Sequence, residues 1–89
     1  MASCILDGSA LPDAAAVYRK LGEALHAPAY FGHNPDALWD LITEHSGERI
    51  EIVWRNSARS AALLGPRFDD IVAVLERAAA DGMLKLEWA

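Results

Sequence analysis

The sequence predicts an α/β protein built on a small three-stranded parallel sheet with helical crossovers. Apolar or β-branched runs appear three times, near residues 3–6, 49–54 and 83–88. Each intervening stretch is longer than twenty residues and holds two segments with helical periodicity. Parallel neighbours need connections of about a dozen residues or more, usually helical, so strand, two helices, strand, two helices, strand is the economical reading.

Ser3 to Leu6 is a short apolar run stopped by Asp7-Gly8, a turn signal. Pro12-Asp13 then opens a helix over Ala14 to Leu25, in which Val17, Leu21 and Leu25 recur every four residues with Arg19, Lys20 and Glu23 off that row. Pro28 is expected to end it. Asn34 suits an N-cap, because its side-chain oxygen can accept from an orphan N–H of the first turn. Pro35 suits the first helical position, where its missing N–H costs nothing. This second helix should run to about Glu44 and stop near Ser46-Gly47. Arg49 to Trp54 is rich in β-branched residues and reads as a second strand. Ser57 to Leu64 forms a short helix ended by Gly65-Pro66. Arg67 to Ala80 forms a longer one with Phe68, Ile71, Val72, Leu75 and Ala79 along one side, closed by Gly82. Met83 to Trp88 alternates Leu84, Leu86 and Trp88 with Lys85 and Glu87, a strand period.

A chain of 89 residues that is 53% hydrophobic and 24% charged is large enough for one modest core. No apolar run approaches the roughly 20 residues a bilayer requires, and no basic segment precedes an apolar one at the N-terminus. A single cysteine, Cys4, cannot form an internal disulfide and reads as a small buried residue of the first strand. These features point to a soluble cytoplasmic protein. The net charge is −5, and no lysine or arginine occurs between Lys20 and Arg49, an interval that holds Glu23, Asp36, Asp40, Glu44 and Glu48. Such a surface repels nucleic-acid phosphates and anionic membranes and steers a basic partner toward it, although a solvated acidic face could equally serve solubility alone.

The run Tyr30 to Ile42, YFGHNPDALWDLI, carries the sharpest signal. Asp36 and Asp40 stand four residues apart and so share a helix face. Asp36 complements the positive end of the helix dipole, whereas Asp40 lies beyond that benefit and beside a like charge, with no cation near it in sequence. Leu38, Leu41 and Ile42 supply the inward stripe, leaving Asp36, Trp39 and Asp40 outward. An exposed Trp39 beside carboxylates, preceded by Tyr30, Phe31 and a flexible Gly32, has the composition of a protein-binding surface. Tyr30, Phe31 and Trp39 could also simply fill the core edge, Phe31 above all.

The run Tyr30, Phe31, Gly32, Asn34, Asp36, Ala37, Leu38, Trp39, Asp40 resembles the signature segment of the barstar-like family. Gly8, Pro28, Trp54 and Gly82 also fall where that family would place them, so the resemblance covers nearly the whole chain as one domain, residues 1–89. It implies a non-catalytic cytoplasmic inhibitor that plugs the active site of a secreted microbial guanyl-type ribonuclease, barnase-like or related, as a 1:1 complex of an otherwise monomeric protein. By that resemblance Asp40 stands in for a substrate phosphate, Asp36 is a second acidic contact and Tyr30 packs on a catalytic histidine of the enzyme. Gly32, Asn34 and Trp39 are further contacts. The sequence departs from the family at several contact positions. His33 replaces an acidic residue, Phe31 a second tyrosine, Pro35 a larger aliphatic and Arg77 an acidic contact, while Asp81 keeps the acidic character of another. The rim is therefore less negative, and the expected target is a ribonuclease with a less basic rim opposite Arg77.

Other readings have less support in the sequence. His33, Asp36 and Asp40, with His26 and His45 not far off, match no metal signature such as HExxH or CxxC. A solvent-facing helix is also a poor place to push two carboxylate pKa values apart. No metal, cofactor or catalytic role is expected. Nucleic-acid binding lacks basic residues among the aromatics. The rival is a barstar-like module that binds another basic protein, such as a toxin that is not a ribonuclease or a housekeeping partner. Trp54 and Trp88 read as core or core-edge residues, Tyr18 as packing on the sheet with its hydroxyl at the surface, and Arg55 and Arg59 as surface charges.

Overall fold

The computed structural model describes residues 1–45 and 47–89. Seven elements follow in order: β1 (Ala2–Asp7), α1 (Ala14–Ala24), α2 (Pro35–Glu44), β2 (Ile50–Arg55), α3 (Ser57–Leu64), α4 (Pro66–Ala80) and β3 (Lys85–Trp88). The strands form one parallel sheet in the order β1-β2-β3, with Cys4 opposite Ile52 and Ile52 opposite Leu86. The three-stranded parallel α/β architecture expected from the sequence is the one observed. The Ser46 part of the expected α2 stop lies outside the described residues.

Both crossovers step the same way across the sheet. Because such crossovers share one hand, they lay all four helices on one face. The burial pattern records this. Ala2, Cys4 and Leu6 of β1 and Ile50, Ile52 and Trp54 of β2 are buried. Ser3, Ile5, Glu51, Val53, Lys85 and Glu87 alternate with that buried row toward an open face, where Ile5 is 54% exposed. Most all-parallel sheets are covered on both sides and lose this alternation.

The core unites this sheet face with Val17, Tyr18, Leu21, Leu25, Leu38, Ile42, Ile71 and Leu75. Trp54 is its largest member, with no exposed surface. Its ring meets Phe68 edge-on at 5.2 Å and stacks on Trp88 at 5.8 Å, and its indole N–H donates to Ser60 Oγ at 2.9 Å. A buried indole requires such an acceptor. Gly8 lies against this junction, since a Cβ there would meet the Asn56 carbonyl and the Ser60 hydroxyl. The Cys4 thiol is pushed up to about 11, first by burial, and is therefore a poor nucleophile.

One terminator and one boundary differ from expectation. Helix α1 covers the expected residues, with Leu25 as its C-cap, but Pro28 is not what stops it. It ends at Ala24 in a Schellman arrangement, with the Ala27 N–H donating to the Gly22 carbonyl at 2.8 Å and the His26 N–H to the Glu23 carbonyl at 3.3 Å. His26 takes the left-handed position at φ 54°, normally given to glycine. The fourth helix starts one residue early, at Pro66, a residue suited to the first turn. Among the described residues no helix is long and apolar enough to cross a membrane.

Candidate protein-docking site

Helix α2 is built as the sequence suggests. Asn34, with extended backbone, accepts from the Ala37 N–H at 2.8 Å, and Pro35 opens the helix. Leu38, Leu41 and Ile42 are buried, which fixes the rotation of the helix and turns Asp36 and Asp40 to solvent. At the other end the His45 ring, through Nδ1–H, donates to the Leu41 carbonyl at 2.9 Å. Among the described residues the ion pairs are Met1–Glu48 and His45–Glu48, so neither Asp36 nor Asp40 has a cationic partner within 4.0 Å.

Trp39 departs from expectation. It is half-buried and packs against the core, because α4 lies beside α2 and covers much of the indole. The Arg77 guanidinium carbon sits 4.3 Å from its ring centroid, a cation–π contact. Asp36, Asp40 and Trp39 of α2 and Val74 and Arg77 of α4 therefore line one open groove. A cation that is distant in sequence thus enters the neighbourhood of the two aspartates without pairing to either. Asp81 is exposed at the C-cap of α4, one turn beyond Arg77 and outside the residues lining the groove.

The loop before α2 splits its aromatics. Tyr30 is 89% exposed, whereas Phe31 packs against the core, resolving the alternatives the sequence left for it. The Phe31 amide donates to the Pro28 carbonyl at 2.9 Å and tightens the loop. His33 stacks on Tyr18 with centroids 5.8 Å apart and planes 4° from parallel, and Phe31 meets Tyr18 edge-on at 6.5 Å. The Tyr18 ring is thus buried between α1 and this loop rather than lying on the sheet alone, and that burial raises its pKa. Gly32 is set by crowding, not by flexibility. Its φ is not positive, and a Cβ would come 2.8 Å from Asn34 Nδ2, an amide already held by the capping bond.

Sequence reasoning missed Tyr18 and Gly22 as supports of this loop. Gly22 carried a visible signal, an unforced glycine on the buried side of a helix, where it costs about 1 kcal/mol relative to alanine. Among the described residues no group of three or more His, Cys, Asp or Glu side chains is gathered for a metal. What the geometry offers is an open, acidic helix face flanked by an exposed tyrosine and by one arginine.

The fold and this face define the class: a small α/β domain with an open, acidic helix face. This chain is a member of the barstar family: residues 1–86 match the family described as Barstar (barnase inhibitor). It is also 32% identical over 78 residues to "Putative ribonuclease inhibitor YrdF" of Bacillus subtilis, an alignment covering 88% of this chain and 86% of that protein.

Proposed function

We propose that this protein is a cytoplasmic inhibitor that occupies the active site of a secreted microbial guanyl-type ribonuclease, barnase-like or related, in a 1:1 complex and without chemistry of its own. The observation that carries the reading is the pair Asp36 and Asp40, exposed on one face of a capped helix and free of ion pairs among the described residues. A ribonuclease cleft gathers cations around the scissile phosphate. Carboxylates held at that place accept the charge-assisted hydrogen bonds that the phosphate oxygens would accept. Asp40 is assigned the phosphate position and Asp36 a second basic contact. Tyr30 offers an aromatic face to the catalytic histidine, and Phe31, Gly32, His33, Asn34, Pro35 and Trp39 complete the contact edge. The family membership and the name of the Bacillus relative support the same reading.

Arg77 and Asp81 form the far rim. With a guanidinium in the groove, the best partner is an enzyme whose opposing rim is neutral or acidic. The same exposed acidic face also fits a second reading, docking onto a basic protein that is not a ribonuclease.

RNA cleavage by several secreted guanyl ribonucleases, titrated with this protein and with Asp40→Ala, separates the two readings. Stoichiometric inhibition that the variant loses supports the proposal, and its association rate should fall as ionic strength rises. A folded protein that inhibits none of the enzymes favours the second reading.

A further inference from the structure

Gly22 is buried in the last turn of α1, and its missing side chain is filled from outside the helix. A Cβ built there would approach Cδ2 and Cε2 of Phe31 at 3.1 and 3.3 Å and the Ala27 Cβ at 3.3 Å. The Phe31 ring thus rests on bare α1 backbone. Gly22 is also the residue whose carbonyl receives the Ala27 N–H that closes the helix. In that arrangement the side chain at this position ordinarily meets the residue two past the cap. Here Phe31, nine residues later in the chain, takes much of that contact.

We propose that Gly22 is a positioning residue for the docking loop: by seating Phe31 on α1 it fixes where the adjacent Tyr30 projects. Three observations join. The loop spans only residues 25–34 between two helices whose own places are set by the core. Phe31 is the half-buried aromatic anchor within it, supported by Tyr18 and, at 6.0 Å, by His33. Tyr30, the residue before it, is exposed and among the described residues has no aromatic neighbour to hold it. Its direction is therefore inherited from Phe31. A glycine that weakens its helix is retained sensibly where a methyl group would push the anchor outward by a few tenths of an ångström. Helix propensity and loop placement then pull in opposite directions at one position.

The inference rests on the docking role of Tyr30 proposed above, so the test has one arm that needs no partner. In the free protein, Gly22→Ala and Gly22→Val are examined by amide NMR and thermal unfolding. Beyond the local changes in α1 and at its cap that any substitution there produces, shifts at residues 28–33, graded Ala below Val, with β2 and α4 unchanged, are expected. Unmoved loop amides overturn the inference, whether or not any ribonuclease is inhibited. In the second arm, inhibition is measured with and without Tyr30→Ala. Gly22→Val should weaken inhibition about tenfold or more when Tyr30 is present and less than about twofold when it is absent, as expected for coupled residues. An equal loss in both backgrounds would mean that Gly22 acts only through the folded fraction. If Val impairs folding, the comparison is read from Ala. A wild-type protein that inhibits nothing while the NMR arm succeeds removes the ribonuclease reading and leaves the loop assignment standing.

Discussion

Replacing Asp40 by asparagine should move stability and inhibition in opposite directions. In the free protein the Asp40 carboxylate accepts no hydrogen bond and has no ion pair among the described residues, and only its backbone carbonyl is used, by Thr43 Oγ1 at 2.9 Å. Its charged companions along the helix face are Asp36 and Glu44, one turn earlier and one turn later and both of the same sign. Each like-charge pair at this spacing costs about 0.2–0.5 kcal/mol. Asn and Asp have similar helix propensities, so relief of that repulsion dominates. For a chain of this size the gain from both pairs corresponds to about 2–8 °C in Tm.

In the complex the balance reverses. A carboxylate desolvated among cations leaves those cations unpaired when it is neutralised, a loss of about 2–5 kcal/mol. That is roughly a 30-fold to several-thousand-fold weakening of inhibition. The amide can still accept hydrogen bonds, which places Asp40→Asn toward the smaller end and Asp40→Ala above it. Circular-dichroism melts and inhibition titrations at fixed ionic strength read the two quantities on the same preparation. A Tm lowered by more than about 3 °C would show that the carboxylate supports the fold, and the functional assignment would lose its basis. An inhibition constant unchanged for an enzyme that the wild type inhibits would refute the phosphate-mimic role directly.

Four further outcomes follow from the same geometry. Ser60→Ala leaves the fully buried Trp54 indole N–H without an acceptor and should lower stability by about 1–3 kcal/mol, seen as a lower urea midpoint with unchanged slope. His26→Gly relieves a left-handed non-glycine residue and should raise stability by about 0.5–1 kcal/mol in the same assay. Asp7 accepts from the Asn56 side chain at 2.8 Å and from the Ser9 amide at 2.9 Å, and these bonds hold its carboxyl below the ordinary 3.8. A depressed carboxylate favours folding above its unfolded pKa and loses that contribution as pH falls through the folded value, so the advantage of wild type over Asp7→Asn should shrink below pH 3.8 in acid titrations of stability. Arg77→Glu should strengthen association with a strongly basic barnase-like enzyme and weaken it with the cognate one, and weakening toward both would overturn the rim assignment.

The parts of this molecule legible in the sequence are those fixed by local rules. Asn34-Pro35 states a helix start unaided, and α3 ends at the Gly65-Pro66 stop expected for it. Gly82, at φ 77° just past α4, closes that helix as a glycine should. What could not be read there depends on partners distant in the chain. Trp39 looks outward by helix periodicity, and only the approach of α4 covers it and brings Arg77 over its face. The terminator of α1 is not legible, because proline is the obvious stop signal while the structure uses a histidine in a glycine's conformation. The one-sided sheet follows from strand order, which no single segment contains.

The groove between α2 and α4 shows how one surface can carry both signs of charge without cancelling itself. Had Arg77 reached a carboxylate, the pair would have been satisfied internally, and a partner would have had to break it before binding. Held over the Trp39 ring, the guanidinium gains about 0.5–1 kcal/mol from the π face, leaves its in-plane N–H donors available and leaves Asp36 and Asp40 unpaired. In the proposed complex a cationic cleft would meet the aspartates at full strength, while the rim beyond them would meet a fixed positive charge. Attraction at the centre and sign-selective rejection at the edge are the two elements that specificity requires, and a uniformly acidic helix would supply only the first.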